Sequence, residues 1–166
     1  EDPDAAVSAI GTAAVLEFFM VDEKAMKDPA ALEKAILKAE AALSPVDFLD
    51  DGYLSDWLRN EKLIPVGDKL MWEYIDGPEG KPVRYPSEGY HYLVYDEVMI
   101  TGDDINNART SWNQYNEPYV GIEFKARGGR IFGDVTAKNV GNRFAIVLDK
   151  KVRSAPRIRE AILGGQ

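Results

Sequence analysis

The sequence has no cysteine, which excludes a disulfide framework, a cysteine-held zinc site and a thiol nucleophile together. It has one histidine, so transition-metal sites built on several imidazoles are excluded by count. No apolar run approaches the ~20 residues that cross a bilayer. The start, Glu1-Asp2-Pro3-Asp4, lacks the basic and apolar stretches of a signal peptide. There is no internal repeat and no low-complexity segment. What is present is 166 residues with 45% hydrophobic and 29% charged side chains. That suffices for one globular domain, or a domain with a small lobe, burying roughly two thirds of its unfolded surface without a covalent or metal staple.

Charge of one sign dominates: 20 basic against 28 acidic side chains give −8, a balance that argues against a nucleic-acid partner. The excess is unevenly spread. Residues 1–123 carry 10 basic and 25 acidic groups, whereas residues 124–166 carry 10 and 3. Either the two segments pair within one fold, or the basic one faces an anionic partner or membrane surface. A start without Met and a stop at Leu163-Gly164-Gly165-Gln166 are the ends expected of an excised piece.

Apolar patterning predicts a strand over Val15 to Val21 and a helix opened by Asp28-Pro29, with Leu32, Ala35, Ile36, Ala39 and Leu43 at three- and four-residue steps. Ser44-Pro45 ends that helix. A shorter one carries Leu54, Trp57 and Leu58, with Asp51 or Ser55 as cap. Leu70–Ile75 and Tyr90–Tyr95 read as strands, with Val83-Arg84-Tyr85 as a short pairing segment. Thr101 and Asp104 have capping-box spacing, which predicts a helix through Ile105, Ala108 and Trp112. Val120, Ile122 and Phe124 alternate as a half-buried strand. Gly128-Gly129 reads as a turn before a helix through Ile131, Phe132, Val135 and Val140, closed by Gly141. Phe144–Leu148 is a buried strand, Asp149-Lys150-Lys151 a turn, and Val152 opens an edge strand before Pro156. A last helix is expected from Ile158 to Leu163. The fold class is therefore α+β, a mixed or antiparallel sheet packed with helices, with an inserted α/β elaboration at about residues 22–97.

The catalytic inventory is thin. His91 lies between Tyr90 and Tyr92 and reads as a packed strand residue. Asp47 to Leu58 fails the calcium-loop template, with Leu49 and Leu58 where acids are required. Gly128-Gly129-Arg130-Ile131-Phe132-Gly133 fits neither phosphate-loop pattern. The aromatics are grouped instead: Trp72, Tyr74, Tyr85, Tyr90, Tyr92 and Tyr95 in one β-rich region, Trp112, Tyr115 and Tyr119 in another. Most suit sheet packing. An exposed minority suits extended or unfolded polypeptide, since tyrosine and tryptophan combine contact area with a polar edge.

The second half carries an ordered series: Thr101-Gly-Asp-Asp-Ile-Asn-Asn-Ala108, Pro118-Tyr-Val-Gly-Ile-Glu-Phe124, Phe132-Gly-Asp-Val-Thr-Ala-Lys-Asn-Val-Gly141, Phe144-Ala-Ile-Val-Leu-Asp149, Val152-Arg-Ser-Ala-Pro156 and Ile162-Leu-Gly-Gly165. Preceded by Ala13-Ala-Val-Leu-Glu-Phe18, this series resembles the SecD family of protein-export membrane proteins, in its first large periplasmic domain. Two departures stand out: Asp149-Lys150-Lys151 replaces the family's Asp-Gly hairpin, and Gly133 replaces a charged residue. The resemblance implies that residues 1–166 form a single head subdomain fragment, with 22–97 a variable insertion and 98–166 the family-matching α+β segment. It also implies a periplasmic position at the cell inner membrane, held by transmembrane helices absent from this fragment. The implied partners are SecF, the SecYEG channel and emerging unfolded preprotein, with export driven by the proton gradient. Neither catalytic residue nor cofactor nor metal is expected. Trp112, Tyr115 and Tyr119 are the candidate preprotein contacts. The alternatives are a carboxylate-dependent hydrolase of envelope polymers and a structural docking module of the Sec channel.

Overall fold

The computed structural model describes residues 15–77, 82–84, 90–116 and 118–161. Along the chain, β1 (Leu16–Met20) is followed by α1 (Pro29–Ala42), α2 (Pro45–Leu49) and α3 (Asp51–Asn60). Strands β2 (Asp68–Trp72), β3 (Tyr74–Asp76), β4 (Pro82–Arg84), β5 (His91–Tyr95) and β6 (Ile100–Thr101) come next. Then come β7 (Ile105–Trp112), β8 (Pro118–Phe124), α4 (Ala126–Lys138), β9 (Phe144–Leu148) and β10 (Lys151–Ser154). The chain divides into two compact units, the first made of residues 1–19 and 98–166, the second of residues 20–97. The class is α+β.

In the first unit a four-stranded sheet has the order β10-β9-β1-β6. β1 is interior because its apolar run buries Leu16 and Phe18 almost completely, as expected of a strand covered on its faces. The Phe18 ring touches those of Phe124, Phe132 and Phe144 at centroid separations of 6.3, 6.0 and 5.4 Å. Phe124 and Phe132 lie 4.7 Å apart, so one ring cluster joins β1, β8, α4 and β9. Pro156 follows the edge strand β10, where a missing N–H disrupts no ladder. The β9–β10 turn uses left-handed backbone at both Asp149 (φ 50°) and Lys150 (φ 66°), so the hairpin forms without the family's glycine.

Three expectations fail in this unit. Thr101 and Asp104 do form a capping box, with the Thr101 N–H donating to Asp104 Oδ2 at 3.2 Å, but it closes only the 3-10 turn Gly102–Asp104. Residues 105–112 are then a strand, not a helix, because they pair along their length with β8. Asn106, Asn107 and the β-branched Thr110 are weak helix formers, and the ladder outweighs them. Gly128-Gly129 is not a turn: both residues lie inside α4. A Cβ on Gly128 would stand 2.5 Å from the Asp104 carbonyl oxygen, so glycine serves close packing here. Beyond α4, Gly141 takes φ +91° and its N–H donates to the Ile158 carbonyl at 2.7 Å. Finally, residues 158–161 are not helical. Ile158 is instead buried, its N–H donating to the Asn142 carbonyl at 2.8 Å. Residues 162 and 163 lie outside the described ones.

In the second unit, α1 begins where predicted, with Asp28 accepting from the Ala31 N–H at 3.1 Å. The next two helices start on caps of the same kind: Ser44 accepts from the Asp47 N–H and Asp50 from the Tyr53 N–H. Neither Asp51 nor Ser55 caps α3. Leu32, Ala35, Ile36 and Ala39 of α1 join Leu54 and Leu58 of α3, Ile64, Leu70 and Leu93 in one core. Beneath it β2 and β5 pair antiparallel from Asp68↔Tyr95 to Trp72↔His91, and β3 pairs with β4. Ser55 joins helix to strand: its Oγ accepts from the Leu70 N–H at 3.0 Å and donates to the Leu70 carbonyl at 3.4 Å. The hydroxyl thus replaces a neighbouring strand for that residue.

Denaturant unfolding of three substituted chains tests these contacts. Gly128→Ala should cost about 1–3 kcal/mol through overpacking against Asp104. Gly67→Ala, with nothing within 4 Å, should stay within about 0.5 kcal/mol. Ser55→Ala should cost about 1–3 kcal/mol by orphaning both main-chain groups of Leu70; an unchanged midpoint would show that water reaches them.

Candidate functional site

Strands β7 and β8 make a two-stranded ribbon in register from Ile105↔Phe124 to Trp112↔Pro118, with an irregularity between Ile105 and Asn107. A ribbon of two strands is marginal alone. This one is anchored at its base, where Phe124 enters the phenylalanine cluster and the Lys125 N–H donates to the Asp104 carbonyl at 2.8 Å. Asp104 is itself held by the Arg127 guanidinium at 2.6 Å. The far end is tightened locally: Asn113 Oδ1 accepts from the Tyr115 N–H at 2.9 Å, and the Asn113 carbonyl accepts from the Asn116 N–H at 3.0 Å. Asn116 supplies the left-handed residue, φ 61°.

Of the three aromatic candidates, Trp112 and Tyr115 are brought together at this far end, 56% and 74% exposed. Tyr119 occupies the register position opposite Ser111, and its side chain lies outside the described residues. Among the described residues no further strand pairs with either edge of the ribbon. An open strand edge beside exposed aromatic surface can bind an extended chain through main-chain hydrogen bonds and sequence-tolerant apolar contact.

The titratable groups of interest lie in the second unit. His91, in β5, sits 5.2 Å from the Trp72 ring across the ladder, and burial holds its imidazole below the ordinary value. Two acids escaped sequence reading. Asp22, just after β1, and Asp68, opening β2, are 7% and 1% exposed. Burial, together with the hydrogen bond to Asp22 and its charge, pushes the Asp68 carboxyl up to about 7. For Asp22 burial acts upward too, but hydrogen bonds from Asp68, the Ala25 N–H, Tyr95 and the Lys24 N–H outweigh it and hold the carboxyl below its usual value. Burial and the negative charge of Asp22 raise the Tyr95 phenol. No local signal marks this pair, because 46 residues separate the two acids. At 1% exposure Asp68 is out of reach of a polymer chain, so the pair does not provide the open acid couple a hydrolase needs.

Among the described residues no group of three or more acidic or histidine side chains converges to hold a metal ion, and no helix is long and apolar enough to cross a membrane.

Comparison with known proteins gives these features a family. The model of the SecDF P1 head subdomain matches residues 80–166. The protein translocase subunit SecD of Magnetococcus marinus is 34% identical over 166 residues, which are 100% of this chain and 25% of that protein. SecD of Desulfurispirillum indicum is 36% identical over 169 residues, again 100% of this chain and 26% of the relative. A solved structure of SecDF, a membrane component that enhances protein export, shares 30% identity over 100% of this chain and 62% of its own, with a TM-score of 0.48. The chain spans about a quarter of the length of these curated SecD relatives. With more than half of its residues matched by the family model, the chain belongs to the SecDF P1 head subdomain family of the SecD translocase subunits.

Proposed function

We propose that this chain is the periplasmic head of a Sec accessory subunit, that it binds emerging unfolded preprotein, and that the β7–β8 ribbon is the contact surface. The observation that carries the reading is the ribbon itself, with no third strand on its edges among the described residues and with Trp112 and Tyr115 exposed at its far end. A holder of unfolded chains must accept many sequences and release them quickly. Main-chain pairing supplies affinity without sequence preference, and aromatic faces add apolar area at low cost in side-chain entropy. Neither needs a preorganised reaction centre. In this reading the subunit works with SecF and the SecYEG channel on the outer side of the inner membrane, and export draws on the proton gradient through the membrane-embedded part. In this reading residues 22–97 elaborate the head, between its first strand and the α+β segment of residues 98–166.

The test is photocrosslinking of a stalled secretory chain to probes placed singly at Trp112, Tyr115 and Tyr119, with Val66, 86% exposed in the second unit, as the control. Labelling at the three positions should exceed the control several-fold. Trp112→Ala combined with Tyr115→Ala should weaken binding of an unfolded precursor about tenfold or more, the scale of a lost aromatic anchor. Equal labelling at Val66 and an unchanged affinity would overturn the reading. Binding of the Sec channel without any unfolded chain would instead mark a docking module.

A further inference from the structure

We propose that Asp22 and Asp68, with the Tyr95 hydroxyl, form a proton-binding site in which one proton bridges two buried carboxyl groups and ties the start of the second unit to its β2–β5 ribbon. The proposal is independent of preprotein binding and rests on the second unit alone.

Burial and an unpartnered oxygen favour a shared proton. Ionised carboxylates are acceptors only, and two of them hydrogen-bonded to each other in a desolvated place cannot both carry charge. Asp68 Oδ2 is buried and receives no N–H or O–H from the described protein. Tyr95 stands opposite Asp68 in the β2–β5 register and its hydroxyl donates to Asp22, so one phenol links the surroundings of two buried acids, and a hydrogen bond between their carboxyls needs one of them to be protonated. The neighbours decide which. Asp22 Oδ1 accepts from the Ala25 N–H at 3.0 Å and from the Tyr95 hydroxyl at 3.2 Å, and the Lys24 N–H adds a third donor, so its anion is stabilised. Asp68, without such donors, is the carboxyl that keeps the proton and donates it.

Among the described residues the neighbouring cations are engaged by other groups. Arg59, on α3, reaches Asp68 but gives Nη1 to its carbonyl oxygen at 2.6 Å and Nη2 to Asp56 at 2.5 Å. Lys69, the next residue on β2, projects to the other side of the strand and pairs with Asp96 at 3.2 Å. On the turn after β1, Lys24 contributes its backbone N–H.

The place matters as much as the chemistry. The second unit begins at Met20 and ends at Glu97, so Asp22 lies near its first residue and Tyr95 near its last. Around them the Val21↔Val94 bridge and the Asp22 N–H, donating to the Leu93 carbonyl at 2.8 Å, hold the same two segments. The proton adds a side-chain clasp to that seam. Once it leaves, two adjacent anions press the segments apart.

The sign follows. Asp68 is raised from 3.8 to about 7 in the folded chain, so its contribution to stability is fully present at low pH and is lost as pH rises through about 7. Asp22, lowered, acts oppositely and only below its ordinary value of 3.8. His91 also acts oppositely, since its folded value is lowered from 6.5, and must be subtracted.

The experiment is a pH titration of side-chain carboxyl carbons by NMR in the isotope-labelled 166-residue chain, with thermal unfolding alongside. The Asp68 carboxyl carbon should titrate with a midpoint near 7, and that of Asp22 should report the same step, as coupled groups do. Between pH 5.5 and 8 the melting temperature of the wild type should fall relative to Asp68→Asn, whose amide still donates to Asp22 but does not titrate. Both carboxyls titrating below about pH 5, or parallel melting profiles, would overturn the site. Should Asp68→Asn not fold, the wild-type titration alone decides between these outcomes.

Discussion

The Phe18 ring is the contact on which the first unit depends. It stands on the interior strand β1 and meets Phe124, Phe132 and Phe144, so a strand at the start of the described chain, the base of a ribbon, a helix and a later strand all close on one side chain. More than 100 residues separate Phe18 from Phe124 in sequence. The loop-closure entropy of bringing them together must be met by burial, and four rings at edge-on and tilted angles supply it. Because the cluster fixes Phe124, it also fixes where β8 emerges, and hence where the ribbon begins.

That arrangement gives the ribbon two ends of different character. Its base is immobilised by phenylalanine packing and by the Asp104 joint, where a carbonyl, a carboxylate and the bare Cα of Gly128 meet. Its far end carries Trp112 and Tyr115 in the open. The proposed capture of unfolded chains would benefit from this division, since a rigid base sets the direction of the strands while the exposed aromatics and the edges, which no third strand covers among the described residues, can accept varied chains.

The second unit works by different means. Its helices and β2–β5 ribbon close around an aliphatic core, with Ser55 completing the bonding of a strand residue. Its two terminal segments meet where Asp22 and Asp68 lie, so a burial penalty on charge is concentrated at the seam of the unit. A buried acid pair is tolerated when one proton is shared, and that makes the seam sensitive to pH in a way that an aliphatic contact is not.

The sequence by itself determined whatever depends on neighbours in the chain. Asp28-Pro29 starts a helix because an oxygen cap and a fixed proline φ act within one turn, and Ser44-Pro45, read from the sequence only as the end of that helix, opens the next one by the same means. Alternation marked β8, continuous apolarity marked β1 and β9, and the ordered motifs of the second half pointed to the SecD family. Tertiary structure decided the rest. Residues 105–112 carry a genuine capping box yet pair as β7, because a ladder of bonds to a distant strand outweighs one satisfied turn. Gly128 was legible as a flexible residue, but only the Asp104 carbonyl beside it explains why no side chain fits. Trp112 and Tyr115 were recognisable as surface candidates, whereas their exposure depends on where the ribbon ends. Asp22 and Asp68 were indistinguishable among 28 acids, since a shared proton depends on separation and burial, and neither quantity exists until the chain has folded.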